Sequence, residues 1–425
     1  MKPVVLYGSA THDNEGDLAM MRGLIGWLAS NGYTGRIRLL TRNPERSQRD
    51  FAIPCDLSHD TSLLAAPSDQ PVSRAQLAWR GLGFLVQVAL WKHAPAAWCA
   101  RLVPPVNRVA IERLAGSAAV IVHGSGSFNS VFWRGWLYPK AITALALRVL
   151  GVPLVMTSQG IGPFDHPLDR WMARRFFRIA CVCGVRDGDT SRAVALALGA
   201  PPDRVVHTGD DAELRPPADD TAVGAALRAE GVPLDRPLFG VNFRDAASYA
   251  AGYADTGHAT LAAALDQLIE ATSVHVVFLP ITYDPADDDR ASADRVVNLM
   301  KHADRTTVVR ARHDAATLRG IASRCTAFAG TSYHALLFAL GADVPSLALT
   351  KNAYYAAKHE GLLRWFGCPD ARVDMEAVDA GQLARMLTDL ITTRDQRAAA
   401  LAAGRAARTS AGAEGRARLL QAIPR

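Results

Sequence analysis

Short apolar runs alternate with longer amphipathic segments along the first half of the chain. The apolar runs, rich in Val and Ile, lie at 4–7, 37–40, 119–123, 153–157, 181–185 and 205–208. Because few polar residues interrupt them, these runs are typical of strands in a parallel sheet covered on both faces. The segments between them carry apolar residues at helical spacing and predict helices, for example at 18–28, 141–150 and 168–179. This order predicts a doubly wound α/β sheet.

The same alternation restarts after a proline-rich polar seam at 214–220. The second set of predicted strands lies at 238–242, 274–279, 307–309, 326–329 and 345–349. Residues 385–420 are rich in Ala, Arg and Leu and predict a helical tail. We therefore expect two Rossmann-like doubly wound domains at 1–215 and 222–380, facing a cleft, and a tail at 381–425. Ligands in such folds bind at the carboxyl ends of the strands.

An insert at 74–113 interrupts this alternation of predicted strands and helices. It carries Trp79, Trp91 and Trp98 together with six arginine and lysine residues. One interpretation is a basic, Trp-bearing helix that touches a membrane surface. The other is a helical cover packed on the first domain, which apolar stripes at helical spacing usually favour.

Composition fits a two-domain globular protein. The 425 residues are 49% hydrophobic and 21% charged, and the formal net charge is +6. The basic surplus is spread along the chain, which favours anionic partners such as phosphorylated substrates or an anionic membrane surface. No nucleic-acid partner is expected, since zinc-finger spacing, an aromatic RNA-binding motif and long Lys/Arg blocks are missing from the sequence.

The six cysteines form no C-x-x-C pair. Cys181 and Cys183 alternate within an apolar run and are expected to be buried free thiols, as in a reducing cytoplasm. The first residues predict a strand, so we expect no secretory signal, and the longest apolar run, 81–91, is too short to span a bilayer. We expect a cytoplasmic protein, with peripheral attachment at the inner face of the membrane and homo-oligomerisation as further options.

His334 occupies the most distinctive position in the chain. It follows a short apolar strand and a turn of small residues that ends at Ser332 and Tyr333, and it opens an apolar helix. Backbone N–H groups at a helix N-terminus point outward and favour an anion. His334 is therefore the leading candidate for chemistry.

The loop at 8–17 follows the first predicted strand and contains His12, Asn14 and Asp17. Such loops often hold phosphates or sugars through backbone N–H groups. This one has neither G-x-G-x-x-G nor the Walker pattern, which argues against NAD or ATP. Asp17 either caps a helix that begins at Leu18 or has a catalytic or acceptor-binding role.

Further loops at strand ends supply candidates that line the predicted cleft. In the first domain these are Gly124, Ser125, Gly126, Ser127, Asn129, Gln159 and Arg186. The two glycines permit close backbone approach to a ligand, although a tight turn or a structural network would use the same residues. In the second domain Asn242 and Arg244 end a strand, and a guanidinium suits phosphate or carboxylate. Lys351 and Lys358 lie beyond the last strand of the second set.

Several of these segments together resemble the polysaccharide pyruvyl transferase family. The matching motifs are N-x-G-D at 14–17, a Gly-rich turn at 123–126, Q-G-x-G-P at 159–163, V-R-D at 185–187 with Ser191, G-D at 209–210, and Y-H-A at 333–335 with Pro345 and Lys358. The similarity spans about residues 4 to 365. Its specificity lies in the order and spacing of the motifs.

The resemblance implies a GT-B-like fold and transfer of a pyruvyl unit from phosphoenolpyruvate (PEP) to a sugar or a lipid-linked glycan, without a metal or a nucleotide cofactor. Such a reaction needs a cationic clamp, an acid and a base. In this comparison His334 is the acid, Arg244 and Lys358 belong to the donor clamp, and Asp17 holds the sugar hydroxyl. The donor set also includes Asn242, Ser332 and Tyr333.

Two positions depart from the family pattern. Ser332 stands where the family usually has the arginine of an R-x-H motif, and a serine cannot replace a bidentate cation. Leu18 stands where a glutamate often follows N-x-G-D. The alternatives are a GT-B-like glycosyltransferase with a nucleotide-sugar donor, and a non-catalytic sugar-binding or scaffold protein. The acceptor, the linkage and the oligomeric state are left open.

Overall fold

A computed structural model describes residues 2–8, 11–65, 72–244 and 256–424, with the side chains of positions 256 and 353 excepted. Positions 9 and 10 of the first predicted loop, and 245–255 of the second predicted domain, therefore lie outside the described residues.

The strands of the described chain are short and are separated mostly by helices. They are β1 Val4–Tyr7, β2 Ile37–Thr41, β3 Cys55–Leu57, β4 Ala119–Val122, β5 Ser125–Phe128, β6 Leu154–Ile161, β7 Val182–Val185, β8 Val205–His207, β9 Leu238–Asn242, β10 His275–Phe278, β11 Thr306–Val308, β12 Cys325–Gly330, β13 Ser346–Thr350 and β14 Arg372–Asp374.

The α-helices are α1 Glu15–Leu28, α2 Pro44–Phe51, α3 Asp60–Leu64, α4 Arg74–His93, α5 Ala96–Leu102, α6 Pro105–Ala115, α7 Tyr138–Leu150, α8 Pro167–Ile179, α9 Asp189–Ala197, α10 Asp220–Ala229, α11 Thr256–Thr272, α12 Asp289–Val297, α13 Ala315–Ser323, α14 Tyr333–Leu340, α15 Ala353–Trp365, α16 Ala380–Thr392 and α17 Arg394–Gln421. Within the described ranges, no helix is both long and apolar enough to cross a membrane.

The chain divides into two compact units. Unit 1 comprises Met1–His12, Met20–Leu214 and Ala411–Arg425, and unit 2 comprises Asp13–Ala19 and Arg215–Ser410. The first turn of α1 therefore groups with unit 2, and the last turns of α17 group with unit 1. Most of the residues expected to form a separate tail group with unit 2.

Unit 1 is built on a parallel sheet with the order β3-β2-β1-β4-β6-β7-β8, and β5 pairs with β6. The strand order reverses between β1 and β4, as in Rossmann-like sheets. β3 and β5 were not among the predicted strands, because β3 is only half-buried and β5 consists mostly of Ser and Gly. β6 runs four residues past its predicted end, which places Gln159 in a strand and not in a loop.

Unit 2 contains a parallel sheet with the order β11-β10-β9-β12-β13-β14. Counted from β9, this is the Rossmann order 3-2-1-4-5-6, so the strand order reverses between β9 and β12. β14 was not predicted, since two of its three residues are exposed.

Each unit has its own apolar core. The core of unit 1 packs helices such as α4, α7 and α8 on strands that are buried throughout, including β1 and β4. The core of unit 2 packs α11 and α16 on β9, β10 and β12. All eight residues of α14 are buried, so its first turn is held firmly within unit 2.

The insert at 74–113 folds as α4, α5 and most of α6. One face of α4, with Leu77, Phe84 and Val88, lies in the core of unit 1, as expected for a helical cover. Its opposite face leaves Trp79 exposed.

The prediction that both Cys181 and Cys183 are buried is wrong for Cys181. Cys183 lies inside β7 and is buried, whereas Cys181 precedes the strand and is exposed.

Candidate active site

Asn242, the last residue of β9, fixes the segment that leads into α14. Its side-chain Nδ2 donates to the Leu279 carbonyl and to Asp289 Oδ2, both at 2.9 Å. Its Oδ1 accepts from the Ser332 backbone N–H at 3.0 Å. Asn242 thus joins the ends of β9 and β12 at the point where the strand order reverses. Its predicted role in donor binding stays a prediction, and its visible role is to position the turn.

Arg244 follows β9 and is almost buried, with 8% of its surface exposed. Its Nε donates to Asp289 Oδ1 at 2.9 Å and lies 3.8 Å from Asp287 Oδ2. Its backbone N–H donates to Thr331 Oγ1 at 2.9 Å. The guanidinium is therefore held in one orientation at the carboxyl edge of the sheet, which suits the recognition of a second, exogenous anion.

His334 is the second residue of α14 and is 7% exposed. Its ring lies on the backbone of Gly16, because a Cβ built at Gly16 would stand only 2.1 Å from His334 Nδ1. The ring of Tyr333 meets it edge-on at 5.5 Å between centroids. Only glycine at position 16 leaves room for the imidazole, which gives a physical reason for the glycine of the N-x-G-D motif.

The N-x-G-D segment forms the first turn of α1. The helix begins at Glu15 and not at Leu18, and Asn14 caps it by accepting from the N–H groups of Gly16 and Asp17 at 2.9 and 3.2 Å. The expectation that Asp17 caps a helix beginning at Leu18 is therefore wrong. Asp17 lies inside the first turn, half-buried.

This turn is anchored to the residues that follow β10. Asn14 Nδ2 donates to Thr282 Oγ1 at 3.2 Å, and the Glu15 N–H donates to the Ile281 carbonyl at 2.9 Å. The Tyr283 N–H donates to the Asp13 carbonyl at 2.7 Å. Within unit 2, residues 13–19 therefore behave as part of the carboxyl edge of the sheet.

Arg312 adds charge pairing to this anchor. Its Nε donates to the buried Glu15 carboxylate at 2.8 Å, and a terminal nitrogen lies 3.2 Å from Asp13 Oδ1. Arg312 also lies over the ring of Tyr283, 5.3 Å from the centroid. Burial, followed by the charge of Glu15, raises the pKa of Tyr283 above its ordinary value, so this phenol stays neutral.

Lys358 lies near the start of α14. Its Nζ is 5.7 Å from the centroid of the Tyr333 ring and 5.9 Å from that of Tyr354. The next residue, His359, is completely buried and hydrogen-bonds through Nε2 to the Thr331 carbonyl at 3.0 Å. Burial, aided by the Lys358 charge, lowers the pKa of His359 to about 3, so this histidine is neutral.

Lys351 was predicted to lie beyond the last strand but was not assigned to the donor-binding residues. It follows β13 directly and is 2% exposed, and its Nζ lies 5.5 Å from the centroid of the Phe243 ring. Burial lowers its pKa to about 7, while the charges of Asp287 and Asp289 act in the opposite direction. Like Arg244, Lys351 follows an apolar strand, and this position was the feature of the sequence that could have marked it as a site residue.

The candidates of unit 1 form a different kind of structure. Ser125 Oγ donates to Gln159 Oε1 at 3.1 Å, and Gln159 Nε2 donates to the carbonyls of His123 and Thr157. Gly124 packs so closely that a Cβ would stand 2.4 Å from Met20 Cε. The polar groups of this edge are thus used largely within the unit.

The neighbouring candidates of unit 1 are also internally bonded. Arg186 is 2% exposed and pairs with the buried Asp210 at 3.2 Å. Asn129 is fully buried, donates to the Gly126 carbonyl at 2.9 Å and accepts from the Phe132 N–H. Ser127 donates its backbone N–H to Ser125 Oγ at 3.3 Å. Their predicted contact with an acceptor stays a prediction.

His12 lies apart from these residues of unit 1. Its Nδ1 is 2.6 Å from Asp50 Oδ2, and its Nε2 is 3.2 Å from Ser47 Oγ. The centroid of its ring lies 6.3 Å from that of Phe51, with the two rings tilted against each other. All three partners belong to α2, so His12 fastens that helix to the segment after β1.

The structure therefore brings one predicted group together in unit 2. It contains His334, Tyr333, Ser332, Asn242, Arg244, Lys358, Asn14 and Asp17. Sequence reasoning placed Lys351 after a strand without assigning it to the site, and it missed the carboxylates Asp287 and Asp289 that lie beside Arg244. No sequence motif marks these two acidic residues, because only the folding of the segment after β10 brings them next to Arg244.

Known structures resemble this fold at low sequence identity. S. aureus MnaA in a co-structure with UDP is 13% identical, with a TM-score of 0.59 over 96% of this chain and 91% of that chain. Anabaena Alr3699/HepE in complex with UDP is 11% identical, with a TM-score of 0.57 over 99% and 98%. A glycosyltransferase from Rickettsia africae is 12% identical, with a TM-score of 0.58 over 96% and 94%. These similarities establish a fold of two Rossmann-like domains, as in GT-B enzymes.

No curated protein matches the sequence. The family model for polysaccharide pyruvyl transferase matches residues 14–351, which include the N-x-G-D turn, the unit 1 loops and the His334 segment. The matched region covers well over half of the chain. This chain therefore belongs to the polysaccharide pyruvyl transferase family, a family of transferases.

Proposed function

We propose that this protein transfers a pyruvyl group from PEP to a sugar or a glycoconjugate precursor, and that unit 2 binds PEP. The observation that carries the proposal is the cationic edge at the β9–β12 reversal, where Arg244, Lys351 and the first turn of α14 follow neighbouring strands. PEP carries a phosphate and a carboxylate and needs such a set of donors.

The proposed chemistry assigns the proton transfers to this edge. His334 protonates the methylene carbon of PEP, and a sugar hydroxyl adds to the neighbouring carbon as its proton is removed. Inorganic phosphate then leaves, and a second hydroxyl adds to the same carbon and gives its proton to the departing phosphate, which completes a ketal. The proton of the first hydroxyl restores the one that His334 gave to the methylene carbon. Asp17, half-buried in the first turn of α1, is the proposed partner of the sugar hydroxyl.

Lys351 supplies positive charge that Ser332 does not. Ser332 is the N-cap residue of α14, with no side-chain capping hydrogen bond. Lys351 shares the charge environment of Arg244, Asp287 and Asp289. A bound phosphate or carboxylate would favour its protonated form, so the proposed site gains a cation when the donor arrives.

A nucleotide-sugar donor is the second candidate. Ser332 in place of the expected arginine favours it, since a diphosphate at the N-terminus of α14 requires no bidentate cation at that position. Two of the similar structures, S. aureus MnaA and Anabaena Alr3699/HepE, are complexes with UDP, which adds support to this candidate. In this case the same edge of unit 2 would bind the diphosphate.

Ligand-dependent thermal unfolding distinguishes the two donors. A ligand that binds the native state raises the melting temperature by mass action. We expect PEP to raise it and UDP to leave it unchanged. Stabilisation by UDP or UDP-sugars, with none by PEP, would replace the first proposal by the second. A melting temperature that responds to neither would favour a non-catalytic protein.

Replacing Ser332 by arginine tests the role of the missing cation. If PEP is the donor, Ser332→Arg should strengthen PEP binding by roughly tenfold, the effect of one additional charged hydrogen bond. Ser332→Ala is the matched control and should leave the affinity unchanged. Loss of PEP binding in Ser332→Arg with an unchanged melting temperature would argue that this position faces another donor.

A further inference from the structure

Helix α4 exposes a stripe of large apolar side chains. Trp79 is 73% exposed, and Leu82 and Val86 are each 52% exposed. Their spacing of three and four residues places them on one face of the helix. The opposite face of α4 already lies in the core of unit 1, so the exposed stripe does not contribute to that core.

The next helix continues this apolar character. Trp98 of α5 is 61% exposed, and Leu102, one turn later, is 52% exposed. Two large tryptophans so exposed within twenty residues differ from the singly scattered apolar residues of an ordinary protein surface.

An apolar groove opens beside the stripe. It has a volume of about 230 Å³ and lies among α4, α7 and α8, with Leu82, Leu168 and Trp171 among its lining residues. Leu82 belongs to both the stripe and the groove, which makes them one continuous surface. Arg74 and Arg175 also line the groove.

The exposed charged residues of α4, α5 and α8 are all basic. α4 and α5 contain no acidic residue, and the one acid of α8, Asp169, is buried and paired with Arg74 at 2.8 Å. α8 exposes the arginines 170, 174, 175 and 178. Of these, Arg174, Arg175 and Arg178 share a helical face with the half-exposed Trp171.

We propose that the surface formed by α4, α5 and α8 rests on an anionic lipid bilayer. The exposed tryptophans and leucines enter the region between headgroups and acyl chains, where amphipathic aromatic rings are favoured. The arginines of α8 pair with lipid phosphates. Charge complementarity selects this occupant, because a neutral apolar partner would leave the row of arginines unpaired.

This surface would bring the protein to a membrane-bound acceptor, but its existence does not depend on the donor or on turnover. The two proposals therefore fail separately. Vesicle binding without pyruvyl transfer would leave the surface intact, and transfer without vesicle binding would leave the proposed function intact.

Co-sedimentation of the full chain with vesicles tests the proposal. We expect binding at low salt to vesicles of phosphatidylcholine and phosphatidylglycerol in equal parts, and little binding to phosphatidylcholine alone. The double variant Trp79→Ala/Trp98→Ala should bind roughly tenfold or more weakly, since two large apolar contacts are lost. Arg174→Gln/Arg178→Gln should weaken binding by a similar factor and reduce its salt dependence.

Leu299→Ser provides the matched control. Leu299 is 55% exposed but lies in unit 2, outside the proposed surface, so its replacement should leave vesicle binding unchanged. Unchanged melting temperatures would show that the variants fold. The proposal is overturned if the wild type does not sediment at low salt, or if Leu299→Ser loses as much binding as the tryptophan variant. Concentration-dependent self-association that the tryptophan changes abolish, without vesicle binding, would assign the surface to a second copy of the chain.

Discussion

The carboxyl edges of the two sheets use their polar residues differently. In unit 1, Gln159 and Ser125 bond to each other, and Arg186 is paired with Asp210. In unit 2, Arg244 and Lys351 share two carboxylates beside the first turn of α14. Both edges lie where the strand order reverses, so topology alone does not distinguish them.

The difference lies in how much positive charge each edge offers to a ligand. In unit 1, His123 is buried, and burial together with the Lys140 charge lowers its pKa to about 3. In unit 2, Lys351 has a pKa of about 7 and can gain a proton near neutral pH. A donor anion could therefore induce protonation of Lys351 at the edge of unit 2, whereas the polar residues at the edge of unit 1 are already hydrogen-bonded to one another.

Replacing His334 should have the largest effect. His334→Gln removes the proposed acid and should reduce turnover by about a hundredfold to ten-thousandfold. The measurement is phosphate release from PEP in the presence of candidate sugar acceptors. Because glutamine can fill much of the space that the imidazole occupies beside Gly16, Tyr333 and Phe338, the melting temperature should fall by only a few degrees.

His123→Gln is the counterpart in unit 1. This histidine hydrogen-bonds through Nδ1 to the Gly124 carbonyl at 2.8 Å, so its replacement should lower stability and leave the rate per folded molecule unchanged. If His123→Gln abolished turnover without lowering the melting temperature, the distinction between the two edges would be lost.

Gly16→Ala should have the next largest effect. The added methyl group would stand 2.1 Å from His334 Nδ1 and must displace the ring, so turnover should fall roughly tenfold to a hundredfold. Steady-state kinetics and thermal unfolding would separate this loss from unfolding.

Gly26→Ala in the same helix is the control. No atom of the described residues lies within 4 Å of a Cβ at this position, so the change should stabilise α1 by about 0.5–1 kcal/mol and leave turnover intact. Full activity of Gly16→Ala would mean that the position of the His334 ring is unimportant for the reaction.

The pH dependence of PEP binding should be the smallest of these effects and the most specific. Above pH 7 free Lys351 loses its proton, so PEP affinity should fall by up to about tenfold per pH unit. Calorimetric titration between pH 6.5 and 8.5 would detect this slope and the proton taken up on binding. Lys351→Met should flatten the slope, and an unchanged slope would exclude Lys351 from the site.

The ligand-free protein should respond to pH in the opposite sense. An unfolded lysine keeps its proton up to about pH 10.4, whereas folded Lys351 loses it near 7. The unfolded state therefore binds more protons in this interval, and the Lys351 contribution to stability rises with pH. Thermal unfolding with and without PEP would show the two slopes.

The sequence was sufficient to predict most of the strands because buried parallel strands are continuous apolar runs. β9 was predicted with its observed bounds, Leu238–Asn242. β5 was not predicted because its Ser and Gly residues form no apolar run. Its strand conformation comes from pairing with β6. Tertiary contacts created those elements, and local composition could not reveal them.

The candidate site was predictable in part for the same reason. His334 and Arg244 follow apolar strands, and that local pattern marks the carboxyl edge of a sheet. The burial of Lys351 and the grouping of residues 13–19 with unit 2 depend on contacts distant in sequence. The start of α1 at Glu15 was missed because Asn14, and not Asp17, supplies the cap.

Calorimetric titration of PEP at neutral pH tests the central claim, that the edge of unit 2 binds the donor. Three proteins are compared: the wild type, the unit 2 variant Lys351→Met/Lys358→Met and the unit 1 variant Ser125→Ala/Ser127→Ala. We predict that the unit 1 variant binds like the wild type and that the unit 2 variant binds at least about tenfold more weakly. Undiminished PEP binding by the unit 2 variant, with loss of binding in the unit 1 variant, would contradict the claim.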